Sequence, residues 1–191
     1  MHKPVLASLA SLAVLASIGC GRPYNMEVQA VPSPFMRPGC RVVVEPVHSE
    51  RLLVGAMPEA MYLSQKNPDS AQSYLTDKQE SDAEFHKRII EDHGMLFSPG
   101  TPDNTFTIRP TWTHWEPGTV AAFGGSRPAT ADFLIEVLAP TGQVLDRFDF
   151  ETAVNASIYN PSSGGRMRSA LKKAGSVVSR YISDNWMCAA H

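Results

Sequence analysis

The central part of the chain alternates between apolar and polar residues, which is the pattern of β-strands. In the stretch 106–115 the sequence FTIRPTWTHW places one set of side chains on a single face, namely Phe106, Ile108, Pro110, Trp112 and His114. The stretches 131–137 and 144–154 repeat this pattern. We therefore predict three strands of a sheet that has one face on a core and the other in water.

Two further segments have the spacing of amphipathic helices. Residues 70–93 end at Gly94, a residue typical of helix C-termini, and Ser81 with Glu84 forms a capping-box pattern inside them. The segment is therefore either one long helix or two shorter ones. A Val-rich strand, RVVVEPV, begins at Arg41. Near the C-terminus one apolar stripe runs through Leu171, Ala174, Val178, Tyr181 and Ile182.

The predicted elements follow the order β-α-β-β-β-α. Alternating strands with one wet face and two amphipathic helices predict an α+β (two-layer α/β) fold. In this fold a mostly antiparallel twisted sheet carries both helices on one face. We assign residues 40–187 to this single domain and residues 188–191 to a tail.

The amino-terminal residues indicate export. A short positive start precedes the apolar run Val5–Ile18, whose 14 residues suit a signal peptide and are too few to span a bilayer. The sequence LASIGC at 15–20 resembles a bacterial lipobox, in which cleavage occurs before a cysteine that becomes lipidated. We predict a lipoprotein signal peptide at residues 1–19 and a lipid anchor on Cys20. An ordinary secretion signal and a structural helix are the alternatives.

Residues 20–39 are predicted to be the lipidated cysteine and a Pro-rich tether, since positions 21–39 contain four prolines and two glycines without a sustained period. If Cys20 carries lipid, Cys40 and Cys188 remain as an even pair in an oxidising compartment. We predict a disulfide between them. The alternative is a buried thiol and a separate thiol on the tail.

The charge of the chain argues against nucleic acid as a partner. The whole sequence has a net charge of −2, and only one of its 17 basic residues lies within positions 1–19. The mature chain therefore has 16 basic and 19 acidic residues, a net charge of −3. Binding to nucleic acid depends mainly on clustered Lys and Arg.

The sequence contains no recognisable catalytic, cofactor or metal motif. The glycine-rich segment 118–127 leads into a strand rather than a helix, which favours a wide hairpin or a bulge over a phosphate loop with Arg127 as its clamp. The histidines lack metal-ligand spacing, and those of the first helix are predicted to face solvent. Asp132 and Glu136 share a strand face, where two carboxylates could flank a glycosidic bond. A hydrolase is therefore the third hypothesis. We predict no catalytic, cofactor-binding or metal-ligating residues.

One tryptophan is predicted to lie on the surface. Trp112 falls on the apolar face of its strand, whereas Trp115 falls on the polar face beside Glu116. An exposed tryptophan is typical of a contact surface. We therefore take Trp115, Arg109 and Arg127 as the candidate interaction surface.

The layout of the chain resembles a group of bacterial envelope proteins. A lipobox and a Pro-rich tether precede the Val-rich strand, a helix ending in EDHG, the strand TIRPTW, the glycine-rich turn before ADFLIEVL, the strand DRFDFETAV and the helix ALKKAGSVVSRYI. This order is similar to that of small envelope lipoproteins related to the TolB amino-terminal domain and to CsgG-like secretion lipoproteins. The resemblance implies an α/β domain that serves as an accessory or assembly factor, with no catalytic residues.

These observations favour a non-enzymatic lipoprotein that contacts another envelope protein or copies of itself. Lipoprotein sorting further suggests a location, because an Asp directly after the lipidated cysteine retains a lipoprotein at the inner membrane. Gly21 occupies that position. The expected location is the inner leaflet of the outer membrane, facing the periplasm. The alternative function is a binding module for a periplasmic small molecule or a cell-wall glycan.

Overall fold

The computed structural model describes residues 22–30, 40–94, 104–119, 126–156 and 162–185. In this part of the chain the strands are β1 (Asn25–Val28), β2 (Arg41–Val44), β3 (Leu53–Val54), β4 (Met57–Pro58), β5 (Thr105–Glu116), β6 (Ala129–Leu138) and β7 (Val144–Val154). The helices are α1 (Glu59–Ser64), α2 (Pro68–His93) and α3 (Ser163–Asn185).

The strands form one seven-stranded sheet. Strands β5, β6 and β7 make an antiparallel meander, and β1 extends it by pairing antiparallel with β7. Strands β2 and β3 both pair parallel with β5, β2 along its first half and β3 near its end, and β4 lies outside β3. The α+β prediction with a mostly antiparallel sheet is confirmed, and the structure adds β1, β3, β4 and the short helix α1.

Helix α2 is one continuous helix of 26 residues. It begins where the side chain of Asn67 accepts a hydrogen bond from the Ser70 amide at 2.8 Å, with Pro68 in the first turn. The capping box predicted at Ser81 does not start a second helix. Ser81 lies buried in the middle of α2, and its hydroxyl donates to the Asp77 carbonyl at 2.6 Å.

Both long helices pack on the same face of the sheet. The apolar stripe predicted for α3 is confirmed, because all five of its residues are buried. The two helices approach closely at Gly175, where an added Cβ would lie 2.6 Å from the Phe85 carbonyl oxygen. Between helices and sheet, Phe85 stacks near Phe133, and the Tyr181 ring lies 4.4 Å from that of Phe148.

A β-bulge in β5 corrects the prediction for Trp115. The pairing of β5 with β6 runs from Trp112 opposite Phe133 to His114 opposite Asp132, so Thr113 is an extra residue. Because side chains alternate with period two, one extra residue exchanges the faces beyond it. Trp115 therefore returns to the core and is 0% exposed, whereas His114 moves to the outer face.

The prediction of a tether without regular structure is wrong for its first part, residues 24–30. Residues 25–28 form β1, and Tyr24 packs its ring 5.0 Å from that of Phe148. The Ala30 amide donates to the buried carboxylate of Asp146 at 2.7 Å. The Tyr24 ring also lies 5.7 Å from that of Tyr181 on α3, so these contacts hold residues 24–30 against β7 and α3. Most of the remaining tether lies outside the described residues.

The hairpin predicted for the glycine-rich segment is confirmed at its base. Thr119 and Arg127 exchange two backbone hydrogen bonds of 3.2 and 3.0 Å. Gly118 has a φ of +68°, and a Cβ there would lie 2.6 Å from the Arg127 carbonyl oxygen. Both the conformation and the space therefore require glycine. Residues 120–125 lie outside the described part.

Of the three cysteines, only Cys40 lies within the described residues. It is fully buried and disulfide-bonded. Cys188 and Cys20 lie outside the described residues, as does the segment 1–19. The pairing of Cys40 with Cys188, the signal peptide and the lipid anchor therefore stay predictions. Within the described ranges, none of the helices has the length and apolar character needed to cross a bilayer.

Candidate interaction surface

The three residues predicted as an interaction surface do not lie together. Trp115 is buried in the core, as described above. Arg109 lies on the outer face of the sheet, opposite to the helices, with 40% of its side chain exposed. Arg127 is exposed at the base of the hairpin, beyond the end of β5. At about 3.3 Å per residue, this end of β5 is about 20 Å from Arg109.

A row of alternating charges crosses the outer face of the sheet at the level of Arg109. The row consists of Glu45, Arg109, Glu136 and Arg147, which we call the charge row. Arg109 is bonded to Glu45, with Nε–Oε2 and Nη2–Oε1 distances of 2.7 and 3.2 Å. Glu136 lies directly opposite both arginines in the strand pairing, and it accepts from Arg147 Nη2 at 2.7 Å.

The charge row perturbs the acid–base chemistry of its first member. The Arg109 guanidinium bonds to Glu45 and lowers the pKa of that carboxyl. His48 Nε2 lies 3.0 Å from the same carboxylate, which raises the pKa of His48. Because these side chains are partly exposed, the surrounding water screens their attraction. The row fixes the positions of the charges and supplies little stability.

His86 connects α2 to the chain after β2. Its Nδ1 lies 2.9 Å from the Asp82 carbonyl oxygen, and its Nε2 lies 2.9 Å from the Glu45 carbonyl oxygen. Pro110 explains the second contact, since it has no N–H to continue the β2–β5 ladder onto Glu45. With acceptors at both nitrogens, the ring is held as an imidazolium. Hydrogen bonding to Asp82 raises the pKa of His86 to about 9.

The edge of β2 that faces away from β5 borders an apolar groove. Val42, Val43 and Val44 form one wall, and the other wall consists of Ile89, Ile90 and His86 of α2. The groove has a volume of about 210 Å³. Val43 and Ile90 are 50% and 52% exposed, although both are large apolar residues.

The carboxylate pair considered for a hydrolase has unsuitable geometry. Asp132 and Glu136 are four residues apart in β6, so their backbones are about 13 Å apart. Carboxylates that act on glycosidic bonds are about 5–9.5 Å apart. Asp132 lies 3.4 Å from His114 Nδ1, and Glu136 is paired with Arg147. Each carboxylate therefore has a structural partner.

Sequence reasoning missed a Ser–His–Asp group between α2 and α3. The Ser179 hydroxyl donates to Asp92 and lies 3.0 Å from His93 Nε2. That nitrogen also lies 2.9 Å from the Ser179 carbonyl oxygen, so it acts as a donor. It therefore cannot accept the serine proton, as a catalytic base must. The group joins the two helices, and the solvent-facing prediction is wrong for His93 as well as for His86.

Among the residues that the structure describes, no group of three or more His, Cys, Asp or Glu could hold a metal ion. A larger cleft of about 460 Å³ lies between the loop 49–53 and α1. Glu59 lines this cleft, but its carboxylate is already held by Lys78 at 2.6 Å and by the Tyr74 hydroxyl at 2.9 Å.

Comparison with known proteins gives no family for this chain. No family model and no curated protein matches the sequence. A PelC dodecamer from Paraburkholderia phytofirmans is similar to the structure at 10% identity and a TM-score of 0.42, covering 82% of this chain and 97% of PelC. A PelC variant dodecamer from the same organism has 10% identity and a TM-score of 0.40, covering 81% of this chain and 97% of the variant.

Protein XCC0632 from Xanthomonas campestris, of the DUF330 family, is similar at 12% identity and a TM-score of 0.42. The likeness covers 84% of this chain and 96% of XCC0632. At these identities and scores, we draw no functional conclusion from the likenesses. The resemblance to TolB and CsgG-like proteins is not confirmed and stays a prediction.

Proposed function

We propose that this protein is a lipoprotein of the bacterial outer membrane that works by binding another envelope protein, without catalysing a reaction. The export signal and Cys20 support the location. The outer face of the sheet supports the mode of action. The long helices occupy the opposite face, so the charge row stays accessible.

The charge row is the observation that carries this proposal. It presents two carboxylates and two guanidinium groups at fixed spacings across adjacent strands. Ordered charges of both signs give orientation and specificity to a protein contact more than they give affinity. The alternative, a small-molecule or glycan-binding module, has its best support in the cleft beside α1, where the carboxylate of Glu59 is already engaged.

Site-specific photo-crosslinking in cells tests the contact. A photoreactive residue at Arg109 should give a discrete crosslinked product with a single partner. The matched control is the same residue at Arg180, which is 58% exposed on α3. Equal products from both positions, or none from Arg109, would contradict a contact through the outer face.

Labelling with radioactive palmitate tests the anchor separately. The wild-type protein should take up label and move with outer-membrane fractions, whereas Cys20→Ala should take up none. Label on the Cys20→Ala variant would contradict lipidation at this residue.

A further inference from the structure

The edge of β2 away from β5 has backbone groups that no described residue uses. The Glu45 amide donates to the Ile108 carbonyl at 2.9 Å, which sets the phase of the parallel ladder. In such a ladder, alternate residues direct both backbone groups to the same side. Arg41 and Val43 therefore face β5, whereas Val42 and Val44 direct their N–H and C=O groups to the edge. Among the described strands, β2 pairs only with β5.

The four residues of β2 include neither a proline nor an acidic residue, which are two of the features that keep edges unpaired. At the opposite end of the sheet, β1 exposes Asn25 and Glu27. The third edge, β4, has two residues, one of them Pro58. By contrast, β2 presents half-exposed Val43 at its centre and has the apolar groove beneath it.

Charges of both signs lie near the edge, but the charged side chain that lines the groove, His86, is positive. Among the acidic neighbours, Glu45 is bonded to Arg109 and Glu91 lies 3.7 Å from Arg88. Lys87 is exposed one turn before Ile90, and the imidazolium of His86 lies in the groove wall. Arg41 begins the strand, and its buried Nε has no hydrogen-bond partner among the described residues. Asp82 is the acidic side chain nearest to His86 and is already bonded to it. A segment that combined apolar and acidic side chains would complement this surface.

We infer that the β2 edge binds an extended segment of the partner protein, which adds to the sheet as a further strand. This inference rests on the proposed function. Backbone hydrogen bonds to Val42 and Val44 hold the segment, and one of its apolar side chains enters the groove against Ile90. An acidic residue of the segment lies near Lys87 or Arg41. The specificity is therefore for alternating apolar residues with an acidic neighbour and without proline.

Selection from random 12-residue peptides displayed on phage, with the purified full-length protein as bait, tests the occupant. Enriched peptides should show this pattern, and one synthetic peptide from the selection then serves as the probe. Val43→Lys should weaken its binding by about tenfold or more, since a charged side chain replaces the half-exposed valine that would pack against an apolar residue of the added strand. The matched control is Met61→Lys, which changes an equally exposed residue on α1 and should leave binding unchanged.

Two measurements separate strand addition from other modes. On peptide binding, NMR hydrogen exchange should slow at the Val42 and Val44 amides and stay constant at Val43, whose amide already faces β5. Lys87 is exposed on α2. Lys87→Glu should weaken binding of the acidic probe peptide, whereas Lys87→Arg should not. These two variants keep the test valid even if Val43→Lys fails to fold.

Several results would overturn the inference: no enriched pattern, equal binding to Val43→Lys, or binding without protection of Val42 and Val44. Sedimentation of the wild type and of Val43→Lys, each without peptide, gives a further check. A difference between the two would also overturn the inference, because the edge would then pair copies of this chain. If crosslinking at Arg109 still captures a partner in these cases, the inference fails and the proposed function stands. If neither surface gives a partner, the proposed function fails.

Discussion

Deprotonation of His86 should weaken the link between α2 and the chain that follows β2. The imidazolium bridges two backbone carbonyls that belong to different elements, those of Asp82 and Glu45. A neutral ring can donate from only one nitrogen, so one carbonyl loses its partner. From α2 the charged neighbour is Asp82, and from the strand side it is Glu45, which also holds Arg109 and His48.

The sign and size of the effect follow from the pKa of His86, which rises from 6.5 to about 9 in the folded protein. A group whose pKa is higher in the folded state makes its full contribution to stability at pH values below its pKa in the unfolded state. This stabilisation is lost as the pH rises from about 6.5 through about 9. Each pKa unit corresponds to about 1.4 kcal/mol, and His86 has a side chain 25% exposed, so the loss is at most about 3 kcal/mol.

Urea unfolding followed by the fluorescence of the buried tryptophans measures this loss. Between about pH 6 and about pH 9.5, the wild type should lose up to about 3 kcal/mol of unfolding free energy that His86→Gln does not lose. Lys87→Gln is the control, because it removes a neighbouring charge that has no bridging contact. NMR titration of the His86 ring should show a midpoint near pH 9. A midpoint near pH 6.5, or equal losses in wild type and His86→Gln, would refute the argument.

Three further substitutions test the packing. Trp115→Ala should lower the free energy of unfolding by about 3–5 kcal/mol; a loss below about 0.5 kcal/mol in urea titration would mean an exposed side chain. Tyr181→Phe removes the hydroxyl that donates to buried Asp146 and should lower the free energy of unfolding by about 1–3 kcal/mol. An unchanged melting temperature in calorimetry would contradict this contribution. Gly118→Ala should destabilise more than Gly142→Ala, which also has positive φ but no atom within 4 Å; equal melting temperatures would contradict the close approach.

The long elements could be predicted because each carries its own period. Strict alternation identified β5, β6 and β7, and a single apolar stripe identified α3. The position of Trp115 could not be predicted, because the extra residue at Thr113 is defined only by the pairing with β6. Strand β1 was missed for a similar reason. Its four residues have no period and gain order from Tyr24, Asp146 and the strand β7.

Of the three residues predicted to form an interaction surface, Arg109 belongs to the charge row. Arg109 was found because it lies on the polar side of an alternating strand. Its partner Glu45 is 64 residues away in the sequence, so no local pattern joins them. The groove beside β2 combines a strand and a helix that are distant in the sequence. Only the parallel pairing of β2 with β5 shows which backbone groups are free.

The early start of β1 limits the distance between the domain and the predicted lipid anchor. Asn25 is five residues after Cys20, and a fully extended chain of that length reaches at most about 18 Å. If Cys20 carries lipid, the β1 side of the sheet lies close to the headgroups. The β2 edge is four strand spacings away, about 19 Å across the sheet. In the anchored protein, the outer edge of β2 would then lie on the side of the sheet away from the lipid attachment.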